Sequence, residues 1–312
     1  MKHDDTLQTS MGHFEAAMSK RKLTLTTPAL ATLLLPIGRS RQDDTAIALT
    51  AAIARGCGAA VRVMCAKEAH EADATVDVDA TVAALRATLG DGIDIAAVSS
   101  PTTGQPHEQI LAAARATSAS LLVVPTVHGG DIGEHGDESL SSTVDALLAE
   151  TALPLLLVRH RHDDVDDLLK EIVVAATLNA EHSIDATRWA LRLVRSGGEI
   201  TLLGVADQDT VVEAARLLGD QLDQGLLREE ALQRAEQKNI GGLASALQLR
   251  ARELKLNAVV DVRVGRPAAI IAALGDEKHC IVCLGRGPDR YAPSHHHTVD
   301  VILRAHHPVL VV

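Results

Sequence analysis

Aromatic side chains are nearly missing from this chain. Among 312 residues, Phe14, Trp189 and Tyr291 are the only rings of that kind, about 1% of the total. Proteins that hold single-stranded nucleic acid stack bases on such rings, so their scarcity argues against that class. Positive charge is also in deficit. Lys and Arg number 30 against 41 Asp and Glu, a formal net charge of −11 that disfavours both a phosphate backbone and an anionic membrane surface as partners. The four cysteines, Cys57, Cys65, Cys280 and Cys283, are too few for a disulfide framework. Long hydrophobic runs are missing too: ATLLLP and LPLLLV are of strand length, and the start MKHDDTLQTSMGH lacks the features of a secretory signal. These absences lead us to expect a soluble, cytoplasmic protein without membrane insertion.

Aliphatic residues take the place of the rings. Hydrophobic residues make up 46% of the chain, enough to fill the cores of layered α/β units with Ala, Leu, Val and Ile. Residues 1–28 show no period and read as a weakly ordered tail. From residue 29 to 160, short apolar runs alternate with segments of helical period. The predicted strands are Thr32–Ile37, Ala59–Cys65, Ile93–Val98, Ser120–Val124 and Leu155–Val158. The predicted helices are Asp43–Arg55, Ala80–Leu89, Glu108–Thr117 and Ser142–Glu150. Strands apolar on both faces, each followed by a helix, imply a parallel sheet covered on both sides.

After the charged segment Arg159–Asp167 the rhythm restarts and occupies residues 168–312. Strands are expected at Ile172–Ala176, Ile200–Val205, Val259–Val264, Cys280–Leu284 and Val309–Val312, with helical segments over much of Thr210–Leu256 and a helix at Val299–Arg304. Two local matches mark a repeat. Gly104-Gln105-Pro106 before an aliphatic helix recurs as Gly265-Arg266-Pro267, and Thr143-Val144-Asp145 recurs as Thr298-Val299-Asp300.

Three features together resemble the universal stress protein family. They are the five-strand order with a Gly-x-Pro turn before the third helix, the glycine-containing loop Leu284-Gly285-Arg286-Gly287 after the fourth strand, and the ending Leu303–Val312 with its helix, proline and last strand. The resemblance covers about residues 30–312. It implies two tandem flavodoxin-like sandwiches of the adenine nucleotide α-hydrolase type, each a five-stranded parallel sheet of order 3-2-1-4-5. It also implies a last strand through which single-domain members dimerise. Here Leu155–Val158 and Val309–Val312 would pair within one chain as an intramolecular pseudo-dimer, leaving a further homodimer and a protein partner open.

Nucleotide-binding members of that family carry an Asp at the end of the first strand and a loop Gly-x-x-Gly, nine residues, then Gly-Ser or Gly-Thr. Such glycines admit backbone N–H groups to phosphates, and the hydroxyl opens a helix whose N-terminus favours anions. Neither half is complete. In the first, Gly38 or Ile37 stands for the Asp, Pro125 for the first glycine, and Ser141-Ser142 for Gly-Ser, with Asp131, Glu134, Asp137 and Glu138 in the loop between. In the second, Leu178 or Thr177 replaces the Asp and Gly285 and Gly287 remain. Pro288 takes the second glycine's place, and His295-His296 or His296-His297 stand for Gly-Ser. By this resemblance Gly285, Arg286, Gly287, Arg290, His295, His296, Ser141 and Ser142 are the candidate contacts for ATP or another adenine nucleotide with Mg²⁺, Arg286 and Arg290 toward phosphate.

The leading expectation is a regulatory, non-enzymatic stress-response protein with degenerate nucleotide pockets. The alternatives are a nucleotide-binding protein with slow ATP hydrolysis in the second unit, and a zinc or pH sensor built on His295, His296 and His297 in a loop. Adjacent histidines do not by themselves set a tetrahedral site, which disfavours metal. Cys280 and Cys283 lie three apart on one expected strand, so their side chains point to opposite faces and read as buried thiols. The sequence contains no Gly-x-Ser-x-Gly elbow and no full phosphate-binding loop, and it names no catalytic triad.

Overall fold

A computed structural model describes residues 23–38, 40, 42–66, 77–99, 104–126, 140–176, 180–207, 229–286 and 293–312. In chain order the elements are β1 (Thr32–Ile37), α1 (Asp43–Cys57), β2 (Ala60–Cys65), α2 (Val78–Leu89), β3 (Ile95–Ala97), α3 (Pro106–Thr117), β4 (Leu121–Pro125), α4 (Ser142–Glu150) and β5 (Leu155–Val158). After a short 3-10 turn at Asp167–Leu169 come β6 (Glu171–Ala176), α5 (Ala180–Leu193), β7 (Glu199–Ala206), α6 (Glu229–Leu254), β8 (Asn257–Val264), α7 (Pro267–Lys278), β9 (Ile281–Leu284), α8 (Pro293–Arg304) and β10 (Val309–Val311).

The strands form one ten-stranded sheet in the order β3-β2-β1-β4-β5-β10-β9-β6-β7-β8, and not two separate five-stranded sheets. Every neighbouring pair is parallel except β5 and β10, which meet antiparallel with Leu157 opposite Val309, Leu156 opposite Leu310 and Leu155 opposite Val311. The reason for the merger lies in composition. Both strands are fully buried aliphatic runs. As open edges they would present unpaired backbone groups beside apolar side chains. Pairing them satisfies both, and burial of each aliphatic side chain is favourable by roughly 1.5–3 kcal/mol.

The alternation of side chains divides the core into two layers. Leu33, Leu35, Val61, Val63, Val174, Ile200 and Cys283 pack on the face covered by α1, α2, α5 and α6. Leu34, Leu122, Val124, Val173, Val282 and Val309 pack on the opposite face, beneath α3, α4, α7 and α8. Cys280 and Cys283 accordingly fall in different layers. Leu25, inside the segment read as a tail, is 3% exposed and joins the first layer. Residues 1–22 of that segment, and 210–228 of the long helical stretch, lie outside the described residues.

Both Gly-x-Pro turns start helices in the same way. Gly104 has φ 103° and Gly265 φ 143°, values open to glycine and strained for other residues. The following proline then sits in the first turn, where its missing N–H costs nothing. Among the described residues no helix is long and apolar enough to cross a membrane.

Candidate functional site

In an open parallel sheet, ligands enter where neighbouring strands send their connections to opposite faces, beyond the carboxyl ends of the strands. Among the described strands there are two such places, between β1 and β4 and between β6 and β9. They correspond residue by residue. The amide of Thr126 donates to Val158 O (3.0 Å) just as that of Arg286 donates to Val312 O (2.5 Å), so Pro125 stands where Gly285 stands in the second half.

At the first crevice a side chain of the protein occupies the anion-seeking donors. The Asp43 carboxylate accepts from the amides of Gly38 (3.0 Å) and Ser40 (3.3 Å) and from the Ser40 hydroxyl (2.5 Å). An acid in the first turn of α1 also suits the positive end of the helix. Ser141 is the N-cap of α4, its Oγ accepting from the amide of Val144 (3.3 Å), and Ser142 follows as an exposed first residue. Two polar atoms at these strand ends lack partners. Gln42 Oε1 and Thr126 Oγ1 belong to residues 4% and 3% exposed, and neither atom has a hydrogen bond. The acidic segment 128–138 lies outside the described residues.

At the second crevice Gly285 is a packing residue. A Cβ there would lie 2.5 Å from His182 O and 2.6 Å from His182 C, so α5 closes directly on the backbone leaving β9. Arg286 turns across to the first half, where its Nη2 donates to Leu153 O (3.4 Å). Its Nε is buried with no partner, and burial lowers its pKa to about 10, so the guanidinium stays charged at neutral pH. Gly287 and Arg290 lie outside the described residues. His295, His296 and His297 are not in a loop as expected: α8 begins at Pro293, and the three occupy its first turns. A proline is well suited to open a helix, and histidine carries no apolar period to reveal one. His297 is exposed.

Among the described residues no group of three or more His, Cys, Asp or Glu is arranged to hold a metal ion. Burial pushes the Cys280 thiol up to about 12 and raises Cys283 further, which leaves both as inert core residues.

Two constellations escape sequence reasoning. One is a cavity of about 430 Å³ between the carboxyl ends of α1 and α5, lined by Arg55, Cys57, Asp166, Arg192 and Arg195 among others. Its arginines are largely committed. Arg192 Nη2 donates to Cys57 O (3.3 Å), and Arg195 pairs with Asp166. Two helix carboxyl ends, each negative, also face it, so the cavity is poorly suited to an anion. The other is a histidine cluster around Asp276, in which His306 Nδ1 (3.0 Å) and His307 Nδ1 (2.8 Å) share one carboxylate. Only the His306-His307 pair signals it in sequence, because Asp276 is remote along the chain.

Comparison with known proteins adds a family match to the second half and a likeness of fold. The model of the universal stress protein family matches residues 169–312. The whole chain is similar to a universal stress protein from Archaeoglobus fulgidus DSM 4304, at 15% identity over 90% of this chain and 97% of that one, with a TM-score of 0.58. It is also similar to a universal stress protein in complex with cAMP, at 20% identity over 42% of this chain and 98% of that one, with a TM-score of 0.31. At 15% identity the likeness to the Archaeoglobus fulgidus protein is one of fold. No curated protein matches the chain.

Proposed function

We propose that this chain is a non-enzymatic regulatory protein of the stress-response type, a reading supported by the match of residues 169–312 to the universal stress protein family model. In this reading two units of that fold are fused into an internal pseudo-dimer, and their nucleotide crevices have become degenerate. The observation that carries the reading is that the chain's own groups take up the ligand-facing positions. Asp43 fills the donors at the first crevice, and His182 closes on Gly285 at the second while Arg286 is drawn away to Leu153 O. A phosphate entering the first crevice would have to displace a carboxylate from three hydrogen bonds, each charge-assisted and costly to lose. Calorimetric titration of the full chain with ATP and Mg²⁺ tests this. The reading expects no saturable heat at millimolar nucleotide, and saturation in the micromolar range would overturn it.

One observation favours a second reading, an adenine-nucleotide binder with slow hydrolysis. Gln42 Oε1 and Thr126 Oγ1 are buried and unpartnered at the first crevice, and a bound ligand with polar edges would satisfy them. In this reading the ligand sits in the first half, away from Gly285. If the titration does saturate, Thr126→Val separates the locations: loss of binding selects the first crevice, and unchanged affinity selects the second.

A further inference from the structure

We propose that His162 and His307 form an acid-released latch, which holds the segment joining the two halves onto the second half at neutral pH and lets it go when both imidazoles take up protons.

The segment after β5 runs past the ends of α7 and α8 and is held by atoms of α1 and of α8 with the residues just after it. The His162 amide donates to Thr45 Oγ1 on α1 (2.9 Å), and the Thr45 hydroxyl donates to His162 O (3.4 Å). The His162 ring donates to the backbone carbonyl of His306. His160 stacks against His306 with ring centroids 5.1 Å apart, and Arg159 Nη1 donates to Ile302 O (3.3 Å). The His162 ring thus bonds the second half while the backbone of the same residue bonds the first.

The protonation state of the two rings follows from their partners. His307 is 2% exposed, and its Nδ1 bonds Asp276 Oδ1 at 2.8 Å. With Nδ1–H donating there, Nε2 is a bare lone pair with no partner, and the ring packs directly on Gly275, where a Cβ would lie 2.8 Å from Cδ2. A proton on Nε2 would create a buried N–H without an acceptor. His162 Nε2 is likewise buried and unpartnered.

The surrounding charges do not all favour release. Facing His307 are Asp276 on α7, which favours the charged ring, and His306 and His162, which oppose it. Facing His162 are His279, which opposes the charge, and Asp163 and Asp276, which favour it. Burial is the largest influence on both rings and outweighs the carboxylates, so both pKa values fall below the ordinary histidine value of 6.5. A closed latch binds fewer protons than an open one, so closure is fully favoured above about pH 6.5 and weakens as pH falls through that value toward the lower pKa of each closed ring. Each histidine contributes up to about tenfold per pH unit inside that window.

Hydrogen exchange on the full chain tests the latch, with amide rates corrected for the intrinsic effect of pH and β6 as the internal reference. Between pH 7.5 and 5.5, amides 160–167 are expected to lose at least about tenfold in protection while β6 keeps its own. In the His162→Asn, His307→Asn double variant, whose amides retain a donor at the Nδ1 position, that loss should vanish. Equal protection at both pH values in the native chain, or the same loss in the double variant, overturns the proposal. If the variant does not fold, an NMR titration of the native chain decides: two rings protonating below the others support the latch, and no such pair refutes it.

Discussion

Replacing Gly285 by alanine separates packing from ligand contact at the second crevice. Gly285 is not among the glycines with positive φ, so its backbone accepts any residue and only space matters. The added Cβ would lie 2.5 Å from His182 O and 2.6 Å from His182 C, where real contacts hold beyond 3.0 Å. Backbone of α5 must therefore retreat by about 0.5 Å from β9. Overpacking against a part that cannot rotate away costs about 2–3 kcal/mol. For a unit of this size that corresponds to a fall in Tm of about 4–12 °C. Gly242→Ala is the matched control: it lies within α6, a Cβ there meets nothing within 4 Å, and the change should stabilise by about 0.5–1 kcal/mol. Thermal unfolding followed by Trp189, the only tryptophan and one packed at 9% exposure in α5, reads both. A Gly285→Ala protein within 1–2 °C of the parent, about the shift of a typical surface change, would refute the packing role and return Gly285 to the ligand-facing candidates.

Three further outcomes follow from the same contacts. Lys278 joins Glu171 (2.7 Å) and Glu199 (2.9 Å) across the sheet end, so Lys278→Ala should cost about 1 kcal/mol at pH 7 in urea denaturation. The bond from Lys278 is the largest of the influences holding Glu199 below its usual range, so this contribution is present above about pH 4.5 and lost as pH falls through the lowered value. Asp43→Ala should destabilise by about 1–2 kcal/mol through the loss of its bonds to Gly38 and Ser40, measured the same way. With a thiol reagent at pH 8, partly exposed Cys65 should react in the native chain, Cys57 more slowly because burial pushes its thiol up, and Cys280 and Cys283 only on unfolding; four equally fast thiols would contradict the assigned burial.

The sheet was largely legible in the sequence, and for a physical reason. A strand covered on both faces must be apolar throughout, so TLLLPI, LLVVP and IVCL stand out without any partner being known. The two Gly-x-Pro turns were legible because each needs a glycine conformation and a proline start at fixed spacing. The beginning of α8 was not, because His295–His297 give no apolar period. Contacts between distant segments were also beyond reach. Nothing near Gly285 points to His182, and nothing near His307 points to Asp276 or to the loop carrying His162. The same limit hid the state of the crevices. Sequence could show that the phosphate loop is incomplete, but the bonds of Asp43 to Gly38 and Ser40 and the approach of His182 to Gly285 become visible only once the chain is folded.

The proposal that the chain's own groups fill both crevices is tested most directly by native mass spectrometry of the gently purified full chain. The account predicts the mass of the bare 32.9 kDa chain or a whole-number multiple of it. A stoichiometric adduct of nucleotide mass, retained through desalting, would contradict it.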